Sequence, residues 1–182
     1  MKTISDHVLD IVQNSVSAKA TLIEIIVEED KKSNLYNLTI NDNGCGMSRE
    51  VLEQAVNPFF TSRTTRKVGL GLPLLKQNAE ATGGSFKINS EPGKGTEVKA
   101  VFQLGHLDRP PMGDIWNTWF LNLLSHPEIR WIYRHSTEVG FFEMDSAELL
   151  TMLEGVSLQQ KEIKQAIIDM IKNNLDEIEA SK

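Results

Sequence analysis

The chain has a single cysteine, Cys45, so an intrachain disulfide is excluded and with it the disulfide-stapled secreted scaffolds. No apolar run approaches the roughly 18 residues that a bilayer-spanning helix needs, and Met1-Lys2 leads into polar Ser5 and Asp6 without a signal-peptide core. Cationic excess is also lacking. The formal net charge of -6 argues against a general nucleic-acid surface, because phosphate binding rests on clustered Lys and Arg. Internal repeats and low-complexity segments are absent. Together these absences predict a cytoplasmic protein with neither a membrane nor a nucleic acid among its partners. What is present is of globular type: 40% hydrophobic and 24% charged residues sit near the average. A length of 182 residues accommodates one main domain with a small appendage.

The most informative stretch is Thr39 to Met47, Thr-Ile-Asn-Asp-Asn-Gly-Cys-Gly-Met. Tyr36, Leu38 and Ile40 alternate with Asn37, Thr39 and Asn41, the period of a half-buried strand, which puts Asp42 at the strand's end. A desolvated carboxylate there needs a definite donor, and Gly44 and Gly46 allow close approach by a ligand. One acceptor beside a bare backbone suits the exocyclic amine of adenine. An ordinary Asp-Asn-Gly hairpin turn reads the same residues equally well.

Upstream, Ser5 or Asp6 is the predicted cap of a helix ending near Ser17, with Val8, Leu9, Val12 and Val16 on its apolar stripe. Asp6, Asp10 and Asn14 stack on another face at four-residue steps, either as a solvated face or as oxygens aimed at a cation and its polyphosphate. Strands are predicted over 21–28 and 35–42, joined by the charged turn Glu28 to Lys32. A short helix capped by Ser48 follows and stops at Asn57-Pro58. The next segment sets Phe59 and Phe60 before the cations Arg63, Arg66 and Lys67, then Gly69 and Gly71 at the opening of a helix over 72–81. It reads as a phosphate lid whose glycines admit helix-N-terminal amides to an anion, or as a surface loop with incidental charge. Strands over 85–90 and 96–104 complete this part, and Thr96 places a hydroxyl within reach of a base, directly or through water.

Taken in order, the Asp10/Asn14 helix, Asp42-Asn-Gly-Cys-Gly46, Pro58-Phe-Phe-Thr-Ser-Arg63, Gly69-Leu-Gly-Leu72 and Gly93-Lys-Gly-Thr96 resemble the N, G1, F and G2 boxes and the final glycine-threonine signature of the GHKL superfamily. Within it the Phe-Phe-Thr-Ser-Arg form looks most like the catalytic domain of sensor histidine kinases. The resemblance implies an α+β fold, a two-layer α/β sandwich of the Bergerat type, with a mixed sheet carrying helices on one face. It implies ATP and Mg as cofactors, with Asn14 the magnesium ligand, Asp42 the adenine acceptor, and Gly44 and Gly46 its platform. Asn43, Met47, Phe60, Thr61, Arg63, Gly69, Leu70, Gly71, Leu72 and Thr96 complete the implied binding set. Asp10 stands where hydrolysing members have Glu and kinases commonly have Asn; it is the candidate base, one methylene shorter than Glu. Few residues precede its helix, so no self-phosphorylated histidine hairpin is expected, and His7, His106, His126 and His135 read as surface or packing residues.

The expected organisation is an ATP-binding domain over 1–105, a linker over 106–114 containing Arg109-Pro-Pro111, and a small α+β appendage over 115–182. That appendage is predicted to hold an aromatic-rich helix from Ile115, a hairpin of 131–135 with 140–144, and helices near 146–154 and 157–179. A stripe of Ile163, Ile167, Met170, Ile171 and Ile178 lies on the last of these. It serves either as packing or as a dock for a protein partner. The functional expectation is an ATP-binding kinase acting in trans on a separate protein, the alternative being an ATP-gated dimerisation switch or slow ATPase with a regulatory partner.

Overall fold

The computed structural model describes residues 1–56 and 71–181. Phe60, Thr61, Arg63, Gly69 and Leu70, with Arg66 and Lys67 of the expected lid, lie outside the described residues.

Helix α1 spans Ile4–Ser17. Its cap is Thr3, two residues before Ser5 and three before Asp6: the Thr3 hydroxyl accepts from the Asp6 amide while the Asp6 carboxylate accepts from the amides of Lys2 and Thr3. Asp6 is therefore engaged at the cap. Strands β1 (Leu22–Asp30) and β2 (Leu35–Asp42) form the predicted hairpin, in register from Ile23 opposite Asp42 to Asp30 opposite Leu35. Helix α2 (Arg49–Ala55) is capped by Ser48 as predicted, and α3 spans Gly71–Ala81. Strands β3 (Ser85–Glu91) and β4 (Gly95–Gln103) pair antiparallel, and β4 lies beside β2.

The remainder is helix α4 (Ile115–Ser125), strands β5 (Arg130–Ser136) and β6 (Phe141–Asp145), and helices α5 (Ser146–Met152) and α6 (Lys161–Glu177). β5 lies parallel to β1, so a single mixed sheet runs β3-β4-β2-β1-β5-β6. The segment expected as an appendage thus extends the sheet by two strands. The segment expected as a linker is hydrogen-bonded to α1, whose first amides at Ile4 and Ser5 donate to the carbonyls of Pro111 and Met112.

One face of the sheet is apolar and covered. Ile23, Ile25 and Val27 of β1, Tyr36, Leu38 and Ile40 of β2, Val98, Ala100 and Phe102 of β4, and Trp131 and Tyr133 of β5 are all buried there. They form one core with α1, α3, α4 and the Ile167–Ile171 side of α6. Period-2 alternation in the strands against three- and four-residue steps in the helices makes two such layers the economical way to hide both apolar faces. The other face is polar: Arg134 of β5 reaches Glu24 of β1 at 3.0 Å and pairs with Glu143 of β6.

Candidate functional site

The end of β2, the C-terminal half of α1 and the start of α3 enclose a cavity of about 370 Å³. Of the residues singled out from the sequence, Asp10, Asn14, Asp42, Gly46, Met47, Gly71, Leu72 and Thr96 line it. They come from four separate elements, and chain order gave no guarantee that they would meet.

Asp42 is held from two sides. One carboxylate oxygen accepts from the amide of Gly44 at 2.8 Å and the other from the hydroxyl of Ser15 at 2.7 Å. A carboxylate has about four lone-pair sites, so two acceptor positions remain for a ligand. Gly44 is buried against Ala18, with its amide turned to Asp42. A Cβ there would stand 2.8 Å from the Ala18 carbonyl oxygen. At Gly46 the demand is stronger, since φ is +65° and a Cβ would fall 2.0 Å from the carbonyl oxygen of Glu91. Asn43, counted with the binding residues from the sequence, does not line the cavity: its side-chain oxygen accepts from the amides of Thr21 and Leu22 and its amide donates to the Thr21 hydroxyl. That role fastens the Asp42 loop to the entry of β1.

Two serines that the sequence reading passed over complete the frame. Ser15 lies on the buried side of α1, 2% exposed, where an apolar residue would be expected from the helical period. That misplacement was the available signal. Ser90 accepts from the Met47 amide at 2.9 Å, donates to the Gly95 carbonyl at 2.8 Å and lies 2.9 Å from the Thr96 hydroxyl. The Gly95 carbonyl can only accept, which commits the single Ser90 proton; the Thr96 hydroxyl therefore donates to Ser90 and turns its lone pairs to the cavity.

Across the cavity stand Asp10 and Asn14, one turn apart on α1. Gly71 opens α3 so close beneath Asp10 that a Cβ would lie 2.0 Å from the carboxylate, which brings the first turn of α3 up to α1. His7 secures this junction. Its Nε2 accepts from the Asn78 amide at 3.0 Å, which leaves Nδ1–H to donate to the Gly71 carbonyl at 3.4 Å. It is a neutral packing histidine, 1% exposed, and burial holds its pKa below the ordinary 6.5 despite that hydrogen bond. The unfolded chain therefore takes up the proton first: the contribution of His7 is complete above pH 6.5 and is lost as pH falls through the lower folded-state pKa. The loss in melting temperature between about pH 7.5 and 5.5 should be smaller in His7→Gln than in the parent protein.

Among the described residues there is no cluster of three His, Cys, Asp or Glu side chains that would hold a metal unaided. The Asp10 carboxylate and the Asn14 amide are hard oxygen donors of the kind that Mg²⁺ accepts, and a Mg²⁺ bound by one or two protein oxygens takes its remaining ligands from water and phosphate. The donor set fits such an ion only in company with a polyphosphate. No helix among the described residues is long and apolar enough to cross a membrane.

A Shewanella frigidimarina protein that carries a provisional sensor-protein name is 35% identical over 102 residues, 55% of this chain and 16% of that protein. The cell-division control histidine kinase PdhS of Brucella ovis is 34% identical over 115 residues, 56% of this chain and 11% of the kinase. The chain thus spans well under a fifth of the length of these curated relatives. Among solved structures, the N-terminal domain of a DNA repair protein superposes with a TM-score of 0.53 at 17% identity, covering 80% of this chain and 52% of that one, a likeness of fold. Residues 2–106, more than half of the chain, match the family described as histidine kinase-, DNA gyrase B- and HSP90-like ATPase, and the protein belongs to that family.

Proposed function

We propose that the chain binds ATP with Mg²⁺ in the cavity between α1, α3 and the β2–β4 end of the sheet, and that it passes the terminal phosphoryl group to a separate protein. The observation that carries the first half is the convergence of Asp42, Thr96, Asn14 and Gly71 on one 370 Å³ space, a size suited to a nucleotide. Asp42 accepts the adenine amine through its two uncommitted lone pairs. Thr96 offers acceptor lone pairs on the same side. Asn14 and Asp10 supply oxygens to the magnesium, whose chemistry is to neutralise and polarise the phosphates. Amides at the start of α3 face the same negative charge.

The second half rests on similarity to a histidine kinase and on Asp10, whose carboxylate takes the place of the Glu that orients water in hydrolysing members. It is expected to be a poor positioner of water, so transfer to a protein is favoured over hydrolysis. Incubation with γ-labelled ATP and cell lysate is the test. Label on another polypeptide is the expected result. Release of free phosphate alone identifies a slow ATPase, and nucleotide-dependent protease protection without either identifies a switch that acts through conformation or dimerisation.

A further inference from the structure

The helices of the core pack on the apolar face of the sheet, and on the polar face Glu28, Lys87, Lys99 and Glu143 are exposed. Its charges are sorted by strand. Positions paired across neighbouring strands share a face, so the register sets one row over all six strands: Lys87 of β3, Lys99 of β4, Thr39 of β2, Ile26 of β1, Arg134 of β5 and Glu143 of β6. Cations stand at one end of the row and an acid at the other.

Lys87 and Lys99 lie directly opposite each other, an arrangement that costs stability, and neither has an ion-pair partner among the described residues. Of the acids on the same two strands, Glu97 accepts from the Asn89 amide at 3.0 Å and Glu91 is paired with Lys94. This end therefore keeps net positive charge. At the other end Arg134 serves two carboxylates, Glu24 and Glu143, Arg130 is matched by Asp145, and Glu28 has no ion-pair partner among the described residues. That end keeps net negative charge. Between them, β2 turns only the uncharged Asn37, Thr39 and Asn41 to this face.

We propose that the polar face binds a second copy of this chain, sheet against sheet, about a two-fold axis that runs along the strands. Such an axis lays β3 over β6 of the second copy and β4 over its β5. Lys87 then meets Glu143 of the second copy, and Lys99 comes over the Arg134 group, where two carboxylates share one guanidinium. A two-fold across the strands would set both lysines over themselves, so the charge pattern selects the first arrangement. Stacked sheets stand about 10 Å apart and nearly aligned, a gap that a lysine and a glutamate span together. Six strands about 4.8 Å apart and about 20 Å long offer roughly 500 Å² per copy, at the low end of specific interfaces. The dimer is therefore reversible, and salt weakens it because its charges are exposed. The cavity that holds Asp42 lies on the helical side of the sheet, so the pairing leaves it open.

Sedimentation equilibrium of the full chain, from micromolar to millimolar, should show a monomer–dimer equilibrium that weakens as salt is raised. Lys87→Glu sets two carboxylates against each other across the interface and should weaken the dimer about tenfold or more. Within one chain the same change replaces a repulsive pair with an attractive one, so the melting temperature of dilute protein should hold or rise. A carbodiimide, which joins an amine to a carboxylate in contact with it, should link Lys87 to Glu143 in the parent protein. Five strand intervals, roughly 24 Å, separate these residues in one chain, so that link forms only between copies. A monomer throughout the range at low salt, a dimer unchanged by Lys87→Glu, or a dimer without the Lys87–Glu143 link would each overturn the proposal. The link decides the matter even where Lys87→Glu fails to fold.

Discussion

Asp42→Asn should lower ATP affinity by roughly 10- to 100-fold, the range set by losing a hydrogen bond to a charged acceptor. The substitution is isosteric, and its oxygen can keep the 2.8 Å bond from the Gly44 amide. Its amide would then face Ser15, whose hydroxyl is able to reverse, accept from the new NH₂ and donate to the Ile11 carbonyl 3.3 Å away. The loop therefore survives. On the ligand side, by contrast, an amide hydrogen now points where an amine needs a lone pair, so a donor meets a donor. Titration calorimetry on the folded variant measures the effect. Affinity equal to that of the parent protein would remove Asp42 from the adenine-binding role and, with it, the proposed orientation of the nucleotide.

His135→Ala should have the largest effect on stability, about 3 kcal/mol, because it removes one partner of a buried ionisable pair and leaves the other desolvated. For a chain of this size that is roughly 6–12 °C in melting temperature. Glu29 is 4% exposed, and burial alone would push its carboxyl pKa up; the bonds from His135 and Ser181 outweigh burial and hold it below the usual range. The substitution also strips the Tyr133 hydroxyl of its partner. A His135→Gln variant keeps one donor for Glu29 and should recover part of the loss. Thermal unfolding of the two variants in parallel checks the order; equal melting temperatures for His135→Ala and the parent protein would show that the pair contributes nothing.

The strands and helices were legible because their periods are local. Tyr36, Leu38 and Ile40 announce β2 by alternation alone, and Ser48 announces α2 by the one position where a hydroxyl can meet a free helix amide. The tail's elements were legible for the same reason, to within a few residues. Their destination was not. Nothing in Trp131 to His135 states that this strand lies parallel to β1 and not against a sheet of its own, since strand partners separated by a long chain leave no local trace. Of the residues that line the cavity, the sequence flagged those whose type was improbable in its setting, as with Asn14 inside an apolar helix or Gly46 beside Cys45. Ser90 escaped because serine is unremarkable near a strand end, and Ser15 because its one signal, a hydroxyl on the apolar side of α1, does not say what it bonds; only the three-dimensional arrangement turns them toward Asp42, Met47 and Thr96. Asn43 shows the converse: a polar residue in a loop rich in ligand candidates has its side chain tied to Thr21 and Leu22 and outside the cavity lining.

The parallel pairing of β1 with β5 has a consequence for how the protein is made. About 100 residues separate Asp30 at the end of one strand from Arg130 at the start of the other, so a ribosome adding about 5–20 residues per second delivers the second strand roughly 5–20 s after the first. During that interval the nascent chain can close the antiparallel β1–β2–β4–β3 part of the sheet but must hold the far side of β1 open, with Ile23, Ile25 and Val27 lacking the Trp131 and Tyr133 that finally stand beside them. An open strand edge of this kind is the species on which misassembly begins. Emergence of the last third of the chain closes it.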